Sequence, residues 1–480
     1  MKLFSRRLEA GLLVLAALVL MIAIVALELS QGNEIGSDIF MLVGGFFLVF
    51  LVAHAIICWI APHSDQIMLP IAALLNGIGL VMIYRLDLAR ESNLAKSQIM
   101  WTVIGVAMMC AVLIFLRDHR RLQNYSYLMG LAGLILLALP IVWPTSLNAD
   151  ANVWISIGPF SIQPGEFSKI LLLLFFATLL VNKRRLFNVA GKSFLGLQFP
   201  RLRDLSPLLL VWGVALVIMA AMNDFGPALL LFGTVLGMLY IATNRSSWLV
   251  LGLGLAAVGA IAVYQISAKI QSRVANFVDP IGNYDDKGFQ LAQALFGMSF
   301  GGVTGTGLGS GYPYQIPVAH SDFILAAIGE ELGLIGLSAV LILYAVFVSR
   351  GFTTAMTVKD SYGKLVAAGL SLTIAVQIFV VTGGISRLLP MTGLTTPFLA
   401  HGGSSLLANY ILLAIILRIS DAAFSPERAR TSASIASEDE AAPAELEPYA
   451  DATGHQPVVG AWRQNEGMPD NAQWNGGYQR

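Results

Sequence analysis

Twelve apolar runs, most of them long enough to cross a bilayer as helices, divide this chain into membrane and polar segments. Hydrophobic residues make up 56% of its 480 residues and charged residues only 12%, which is typical of a polytopic membrane protein rather than a soluble globule. Because about 20 apolar helical residues span the hydrocarbon core, the pattern predicts an all-α polytopic membrane protein with about 12 transmembrane helices. The runs lie near 10–29, 39–60, 67–84, 98–116, 126–143, 167–181, 205–222, 225–242, 247–266, 323–349, 364–384 and 403–420.

The distribution of lysine and arginine predicts the orientation of these helices. With the N terminus inside, the basic segments 117–121 and 182–204 fall inside, and the segment 144–166, which has no lysine or arginine, falls outside. The basic residues between 85 and 96 are the main exception. We therefore expect both termini in the cytoplasm.

Three segments need a separate interpretation. The first apolar run resembles a signal peptide, but it is long for one and no small-residue cleavage site follows, so we interpret it as a retained anchor. Residues 267–322 form an extracytoplasmic loop far longer than a helix connection needs, and such loops are usually functional or disordered. Residues 421–480 are rich in Ala, Ser, Glu, Pro and Gly, which predicts a disordered cytoplasmic tail.

The segment Ile-Pro-Val-Ala-His-Ser-Asp-Phe at 316–323 places His320 and Asp322 at the predicted edge of the membrane. An aspartate at the centre of a spanning helix costs about 2.5–3.5 kcal/mol on insertion scales. Asp322 is therefore either a solvated residue where the helix leaves the bilayer or a functional carboxylate, and its surroundings must decide.

Two other polar blocks interrupt apolar runs, and each has a structural and a functional interpretation. Glu166 and Lys169 are spaced i,i+3, so they can form an ion pair that anchors a helix end. Trp154, upstream of them, can be an interfacial aromatic residue. Asp224 precedes a helix as a possible N-cap, or it faces a cavity between two broken helices.

The outward loop and the last crossing carry further polar residues. Lys269 and Arg273 stand near the start of the loop, and Gln290 and Gln293 share one helical face. The glycine-rich run that follows has no strand before it, which argues against a dinucleotide-binding fold. Arg387 is either a snorkelling side chain or a ligand for an anion.

Taken in order and spacing, these blocks resemble the SEDS family of shape, elongation, division and sporulation proteins, the RodA and FtsW group. The chain departs from the family pattern at a few positions, where Val153, Asn223, Val318, Ser321 and Ala400-His401 stand for Arg, Pro, Glu, Thr and Ser-Tyr. The resemblance spans about residues 67–420. It is carried by Trp154, Gln163, Pro164, Glu166, Lys169, Asp224, Gly226, Gln290, Gln293, Pro317, His320, Asp322, Phe323, Glu330, Glu331, Gly333, Pro390, Gly393, Pro397, Phe398 and Gly402–Ser405.

The resemblance implies a domain organisation. A ten-helix core at 67–420 follows an extra N-terminal transmembrane helix pair at 1–66, and these extra helices are similar to those of RodA-type members from high-GC Gram-positive bacteria. It further implies a bacterial plasma membrane location.

The resemblance also implies an activity. Members of this kind are peptidoglycan glycosyltransferases that polymerise lipid II into glycan strands at the outer membrane face during cell-wall elongation. Asp322 takes the position of the general base. The residues expected to bind substrate are Arg273, Lys269, Gln290, Gln293, His320, Arg387, Trp154, Lys169, Glu166 and Asp224.

Cofactors and partners follow from the same resemblance. No cofactor is expected to be tightly bound, although a divalent cation, Mg²⁺ or Mn²⁺, can assist a departing diphosphate. The expected partners are lipid II, membrane lipid and a transpeptidase of the class B penicillin-binding proteins, and no nucleic acid. Glu330 and Glu331 are expected to be structural or to line a cavity.

Three alternatives remain open from the sequence. The first is a transporter, including a lipid II flippase, although no motif repeats between the two halves and the polar residues gather around 267–322. The second is a catalytically silent scaffold, and the third is a division-type member of the same family.

Overall fold

The computed structural model describes residues 6–34, 36–143, 153–157, 160–188, 192–194, 197–199, 202–285 and 288–425. Within these ranges the chain is almost entirely helical, with two short antiparallel hairpins. The helices are α1 Arg7–Ser30, α2 Ser37–Ile60, α3 Met68–Arg90, α4 Leu94–Phe115, α5 Arg121–Asn124, α6 Ser126–Val142, α7 Gly165–Asn188, α8 Leu202–Ala221, α9 Phe225–Thr243, α10 Ser247–Ile266, α11 Ala268–Val278, α12 Phe289–Gly301, α13 Ile324–Glu331, α14 Gly333–Thr357, α15 Ser361–Ile385 and α16 Gly403–Phe424. The strands are β1 Ile155–Ile157, β2 Phe160–Ile162, β3 Lys192–Phe194 and β4 Leu197–Phe199.

The apolar runs form helices where the sequence predicts them. In the described ranges, 10 helices are long and apolar enough to cross a membrane, and Ser126–Val142 and Ser206–Ala221 are shorter apolar helices. The chain is therefore a multi-pass membrane protein, and the predicted all-α polytopic architecture is confirmed. The last helix continues to Phe424, four residues into the predicted tail. Residues 426–480 lie outside the described residues, so their disorder stays a prediction.

The predicted run 323–349 is not one continuous helix. It breaks at Leu332 into α13 and α14, and Gly333 adopts a φ of +66°, which a glycine tolerates without the strain that a side chain would bring. Glu330 and Glu331 therefore end a short buried helix instead of lying inside a spanning one. This places both carboxylates beside the outward loop.

The bundle has a clear centre and a clear periphery. In their most apolar stretches, α3 is 83% buried and α16 is 78% buried, whereas α10 is only 6% buried. The helices α3, α15 and α16 thus form the interior, and α4 packs along α16. Since α10 exposes almost its whole surface, its apolar side chains face lipid.

The N-terminal helices pack directly against this interior. α1 packs on α3, and α2 packs on α4. The side chain of Arg6 is fully buried and donates hydrogen bonds to the carbonyl of Ser64 at 2.6 Å and of Asp65 at 2.7 Å. The carboxylate of Glu9 lies between Arg6 and the Nδ1 atom of His54, at 2.5 Å from the latter. A buried charge network therefore joins the helix pair to the start of α3.

Asp65 continues this buried charge network across the helix bundle. Its Oδ1 atom accepts hydrogen bonds from the backbone N–H groups of Ile67 and Met68, at 2.8 and 3.1 Å, which satisfies free donors at the start of α3. Its Oδ2 atom accepts a hydrogen bond from Nε of Arg350 on α14 at 2.6 Å. The predicted boundary at 66/67 thus falls at a tightly bonded joint rather than at a loose linker.

The buried network makes a testable contribution to stability. We expect Glu9→Ala to lower the free energy of unfolding by about 3–5 kcal/mol, because it removes the carboxylate that neutralises a fully buried guanidinium. Unfolding in mixed micelles measures the change, and Glu34→Ala at an exposed position is the control. Equal stability of the two variants would show that the Arg6 guanidinium does not need this partner.

Candidate active site

A cavity of about 790 Å³ opens at the end of the bundle that carries the 267–322 loop, and it is called the site cavity below. Its wall comes from segments far apart in sequence: the start of α4, the β1–β2 hairpin, the turn before α9, helix α11 and the two irregular segments before α13 and α16. The lining residues are Ser97, Met100, Trp101, Val153, Trp154, Ser161, Gln163, Asp224, Lys269, Arg273, Val318, His320, Ser321, Asp322, Thr392, Gly393, Thr395, His401, Gly402 and Gly403.

Asp322 lies half-buried in the wall of the site cavity, in the turn just before α13. Burial raises the pKa of its carboxyl group, while a hydrogen bond from Ser321 and the positive charge of Arg273 lower it. Gly393 lies close to both charges, since a Cβ atom there would sit 3.4 Å from Nη2 of Arg273 and 3.7 Å from Oδ2 of Asp322. The carboxylate is therefore desolvated but faces a cation across a narrow gap.

Two basic side chains from α11 form the opposite wall. Lys269 and Arg273 are one helical turn apart, so they project from the same face. Arg273 donates from Nη1 to the carbonyl of Thr392 at 3.1 Å, and Lys269 donates from Nζ to the carbonyl of Asn223 at 3.1 Å. These bonds hold both cations at the cavity, where an anionic group can approach them.

Asp224 lines the site cavity and does not cap α9. Its side chain makes no capping hydrogen bond, so the N-cap interpretation is wrong and the cavity-facing alternative describes the structure. The pKa of Asp224 is raised to about 6, mainly by burial and also by the charge of Glu166, while Lys269 and Arg273 act to lower it. Near neutral pH this carboxyl group is thus close to its titration point.

Two histidines meet at the site cavity. The rings of His320 and His401 lie 5.7 Å apart, and the backbone N–H of His401 donates to the carbonyl of His320 at 2.8 Å. Burial lowers the pKa of His320, and burial together with His320 lowers the pKa of His401 to about 4. Both imidazoles are therefore neutral at pH 7 and can donate or accept a hydrogen bond. Sequence reasoning noted His401 as a departure from the family pattern but did not place it in the site.

Glu166 and Lys169 do not line the site cavity, but hydrogen bonds connect them to a residue that does. Their ion pair measures 2.6 Å, and Lys169 also donates to Oε1 of Gln377 at 3.3 Å. Gln377 in turn donates from Nε2 to the carbonyl of Thr395 at 2.7 Å, and Thr395 lines the cavity. The two charged residues thus act on the cavity wall through Gln377. The sequence offered one signal for this residue, since an amide inside an apolar run often has a functional role.

Five of the ten predicted substrate-binding residues do not line the site cavity: Glu166 and Lys169, described above, and Arg387, Gln290 and Gln293. Arg387 donates to the carbonyls of Phe277 and Val278, so its guanidinium lies at the C-terminal end of α11, and its role as an anion ligand stays a prediction. Gln290 is exposed on α12. Gln293 donates to the hydroxyl of Tyr284 at 2.7 Å and lines a second cavity instead. The remaining predicted residues, Arg273, Lys269, His320, Trp154 and Asp224, line the site cavity with Asp322.

Val318 occupies an unusual backbone conformation in the wall of the site cavity. Its φ is +53°, which is rare for a β-branched residue. Strain of this kind, on the order of 1–3 kcal/mol, persists where the surrounding structure enforces it and is common at functional sites. His320, Ser321 and Asp322, which follow Val318, line the same cavity.

Comparison with known proteins identifies the family. A sequence model of the FtsW, RodA and SpoVE family, described as cell cycle protein, matches residues 65–424. The match begins just after the α1–α2 pair, so these two helices lie outside the part that the family model describes.

Relatives of known name cover nearly the whole chain. Peptidoglycan glycosyltransferase RodA of Mycobacterium tuberculosis is 48% identical over 433 residues, which cover 88% of this chain and 92% of the relative. The RodA of Mycobacterium leprae is 47% identical over 427 residues, covering 87% and 91%. Stage V sporulation protein E of Bacillus subtilis is 30% identical over 367 residues, covering 74% and 96%.

Solved structures share the fold. A chain in a structure described as the structural coordination of polymerization and crosslinking by a peptidoglycan synthase complex superposes with a TM-score of 0.61 at 24% identity, covering 75% of this chain and 99% of that one. The rod shape determining protein RodA of Thermus thermophilus gives a TM-score of 0.54 at 22% identity, covering 76% and 99%.

The charge balance at Asp224 can be measured without any substrate. We expect the carbonyl stretch of its protonated carboxyl group to titrate near pH 6 in infrared difference spectra and to vanish in Asp224→Asn. Lys269→Ala should move this titration to higher pH, since the lysine charge lowers the pKa. Asp285→Asn, at an exposed position of the same loop, is the control. A shift to lower pH in Lys269→Ala would contradict the assigned electrostatics.

Proposed function

Because this chain belongs to the FtsW, RodA and SpoVE family, we propose that it is a peptidoglycan glycosyltransferase that polymerises lipid II in the site cavity. The observation that carries the proposal is the meeting, in one cavity, of a desolvated carboxylate with two basic side chains and two neutral histidines. Glycosyl transfer from a lipid diphosphate needs a base for the acceptor hydroxyl and positive charge for the leaving group, and this cavity supplies both.

Asp322 is the proposed general base. The 4-hydroxyl of the N-acetylglucosamine of one lipid II molecule attacks C1 of the N-acetylmuramic acid that ends the growing strand. The O–C1 bond forms as the C1–diphosphate bond breaks, the hydroxyl proton passes to Asp322, and undecaprenyl diphosphate leaves with the bonding electrons. Attack from the side opposite the diphosphate inverts C1. Burial raises the pKa of Asp322 and so makes the carboxylate a stronger base than an exposed aspartate.

Arg273 and Lys269 are the proposed ligands of the diphosphate. Both project from one face of α11, and each is fixed by a hydrogen bond to a backbone carbonyl of a neighbouring segment. Their charges are thus in place before the leaving group develops its own charge, which is the arrangement that stabilises such a transition state.

A requirement for Mg²⁺ or Mn²⁺ remains a prediction. Among the described residues, no group of three or more His, Cys, Asp or Glu side chains is placed to hold a metal ion. The described side chains therefore form no such group, and in the proposed mechanism the positive charge at the diphosphate comes from Arg273 and Lys269.

The two histidines and Trp154 are proposed to hold the sugars. A neutral imidazole exchanges hydrogen bonds with hydroxyl and acetamido groups without competing with the basic residues for the diphosphate. His320 and His401 are neutral because burial lowers their pKa values. Trp154 presents an indole ring at the same cavity, against which an apolar sugar face can lie.

The cellular setting follows from the same proposal. Lipid II is used at the outer face of the bacterial plasma membrane, so the site cavity and the 267–322 loop face outward and both termini lie in the cytoplasm, as the lysine and arginine distribution predicts. A crosslinking transpeptidase of the class B penicillin-binding proteins is the expected partner, supported by the peptidoglycan synthase complex among the structural neighbours. The identity of 48% to RodA, against 30% to a sporulation relative, supports a role in elongation.

The first test replaces the base. We expect Asp322→Asn to lower the rate of lipid II polymerisation by about 10²–10⁴-fold, the usual contribution of a positioned base, while the protein stays folded. Gel analysis of glycan strands made by purified protein with its transpeptidase measures the rate, and Asp285→Asn is the matched control. Movement of lipid II across liposome membranes by a wild-type protein that makes no polymer would favour a flippase instead.

The second test uses the dependence of turnover on pH. The base must be ionised, so turnover at saturating lipid II falls as the pH drops through the raised pKa of Asp322. Arg273 lowers this pKa, so Arg273→Gln should shift the acid limb of the profile to higher pH, and Arg273→Lys, which keeps the charge, should shift it less. An acid limb that moves to lower pH in Arg273→Gln would exclude Asp322 as the titrating base.

A further inference from the structure

A second, smaller cavity of about 270 Å³ lies beside the site cavity, and it is called the loop cavity below. One backbone segment separates the two, because Ile316 lines the loop cavity and Val318 lines the site cavity. The Cα atoms of residues two positions apart are at most about 7.6 Å from each other. The two cavities are therefore neighbours along this segment.

Aromatic rings form the open side of the loop cavity. Phe296 and Phe300 project from α12 with 45% and 66% of their surfaces exposed, and Tyr312 is 51% exposed. Large aromatic side chains exposed around a concavity on a polar loop mark a binding surface more often than a packing one. Their rings offer flat apolar faces to whatever enters the cavity.

Polar groups form the floor and rim of the same cavity. Glu330 is only 3% exposed and accepts one hydrogen bond at Oε1 from the backbone N–H of Tyr312 at 2.6 Å. Its Oε2 atom lies against Gly297, where a Cβ atom would come within 2.7 Å, so only a glycine lets the carboxylate take this position. Gln293 and Gln315 line the same cavity. Glu330 thus keeps acceptor capacity directed at the cavity.

This combination of groups matches the chemistry of a sugar ring. The C–H face of a pyranose is apolar and lies well against an aromatic ring, whereas its hydroxyl and acetamido groups need amide and carboxylate partners. A hydrophobic protein segment would leave the remaining acceptor capacity of the buried carboxylate without a partner, which is costly. A free anion would meet the negative charge of Glu330. A neutral carbohydrate satisfies both the rings and the polar groups.

We propose that the loop cavity is a subsite that holds one sugar of the glycan strand while the next lipid II reacts in the site cavity. This inference rests on the proposed function and deepens it. A strand bound at both cavities stays on the enzyme between additions, because release then requires both contacts to break together. The loop cavity consequently sets the length of the product and has little effect on the formation of the first bond.

The test compares product length with initial rate. We expect Phe296→Ala and Gln315→Ala to shorten the average glycan strand about three- to tenfold, the loss that one ring contact or hydrogen bond typically brings. The initial rate of joining two lipid II molecules should stay near the wild-type value. Phe289→Ala is the matched control, because Phe289 lies on the same helix, is 37% exposed and is not among the residues that line the loop cavity.

Each other outcome has a definite meaning. Strands of wild-type length from both variants would overturn the subsite, and so would an equal shortening by Phe289→Ala, which would indicate a general effect of α12 aromatics at the bilayer. Shortening that occurs only when the transpeptidase is present would assign the surface to protein docking and would also overturn it.

A binding measurement separates this proposal from the proposed function. Saturation-transfer NMR with a lipid-free tetrasaccharide of alternating N-acetylglucosamine and N-acetylmuramic acid reports contact with the wild-type protein whether or not it polymerises lipid II. We expect binding that Phe296→Ala weakens and Phe289→Ala does not. Polymer from the wild type without such binding would overturn the subsite alone, whereas binding without polymer would overturn the glycosyltransferase alone.

Discussion

Burial at the edge of an apolar bundle disfavours the charged form of two carboxyl groups, and two cations on a single helix favour it. The site depends on this balance. Burial raises the pKa values of Asp224 and Asp322, and Arg273 opposes the rise at both, with Lys269 acting on Asp224. Charge–charge interactions are stronger in a medium of reduced dielectric constant than in water. A small displacement of α11 would therefore change the protonation of the two carboxyl groups. A base that is desolvated yet ionisable is the property that glycosyl transfer requires of Asp322.

Backbone groups of the irregular segments around the cavity maintain that balance. Thr392 and Asn223 offer their carbonyls to Arg273 and Lys269, and His401 is bonded to His320 through the main chain. Irregular backbone can lie at membrane depth when protein surrounds it, and here the irregular segments themselves carry the functional side chains. The helical bundle therefore serves mainly to hold these short irregular segments in fixed positions.

Individual residues show where sequence reasoning succeeded and where it did not. Asp322 and His320 were predicted from motif position and Arg273 as an outward basic residue, and all three line one cavity. The position of Arg387 outside the site cavity was not predicted, because the sequence does not show that the end of α11 comes within reach of its guanidinium. Gln377 was missed because its partners, Lys169 and the carbonyl of Thr395, lie 208 and 18 positions away along the chain.

The sequence alone determined the membrane architecture, because spanning length and apolarity are local properties that the bilayer imposes on each segment separately. It also determined which motifs carry the chemistry, since Asp322 and its neighbours are contiguous. Only the tertiary structure decided that Asp224 faces a cavity instead of capping a helix, and that Glu330 opens into a second cavity beside the first. Those roles depend on burial and on distances between remote segments, which residue spacing along one chain does not encode.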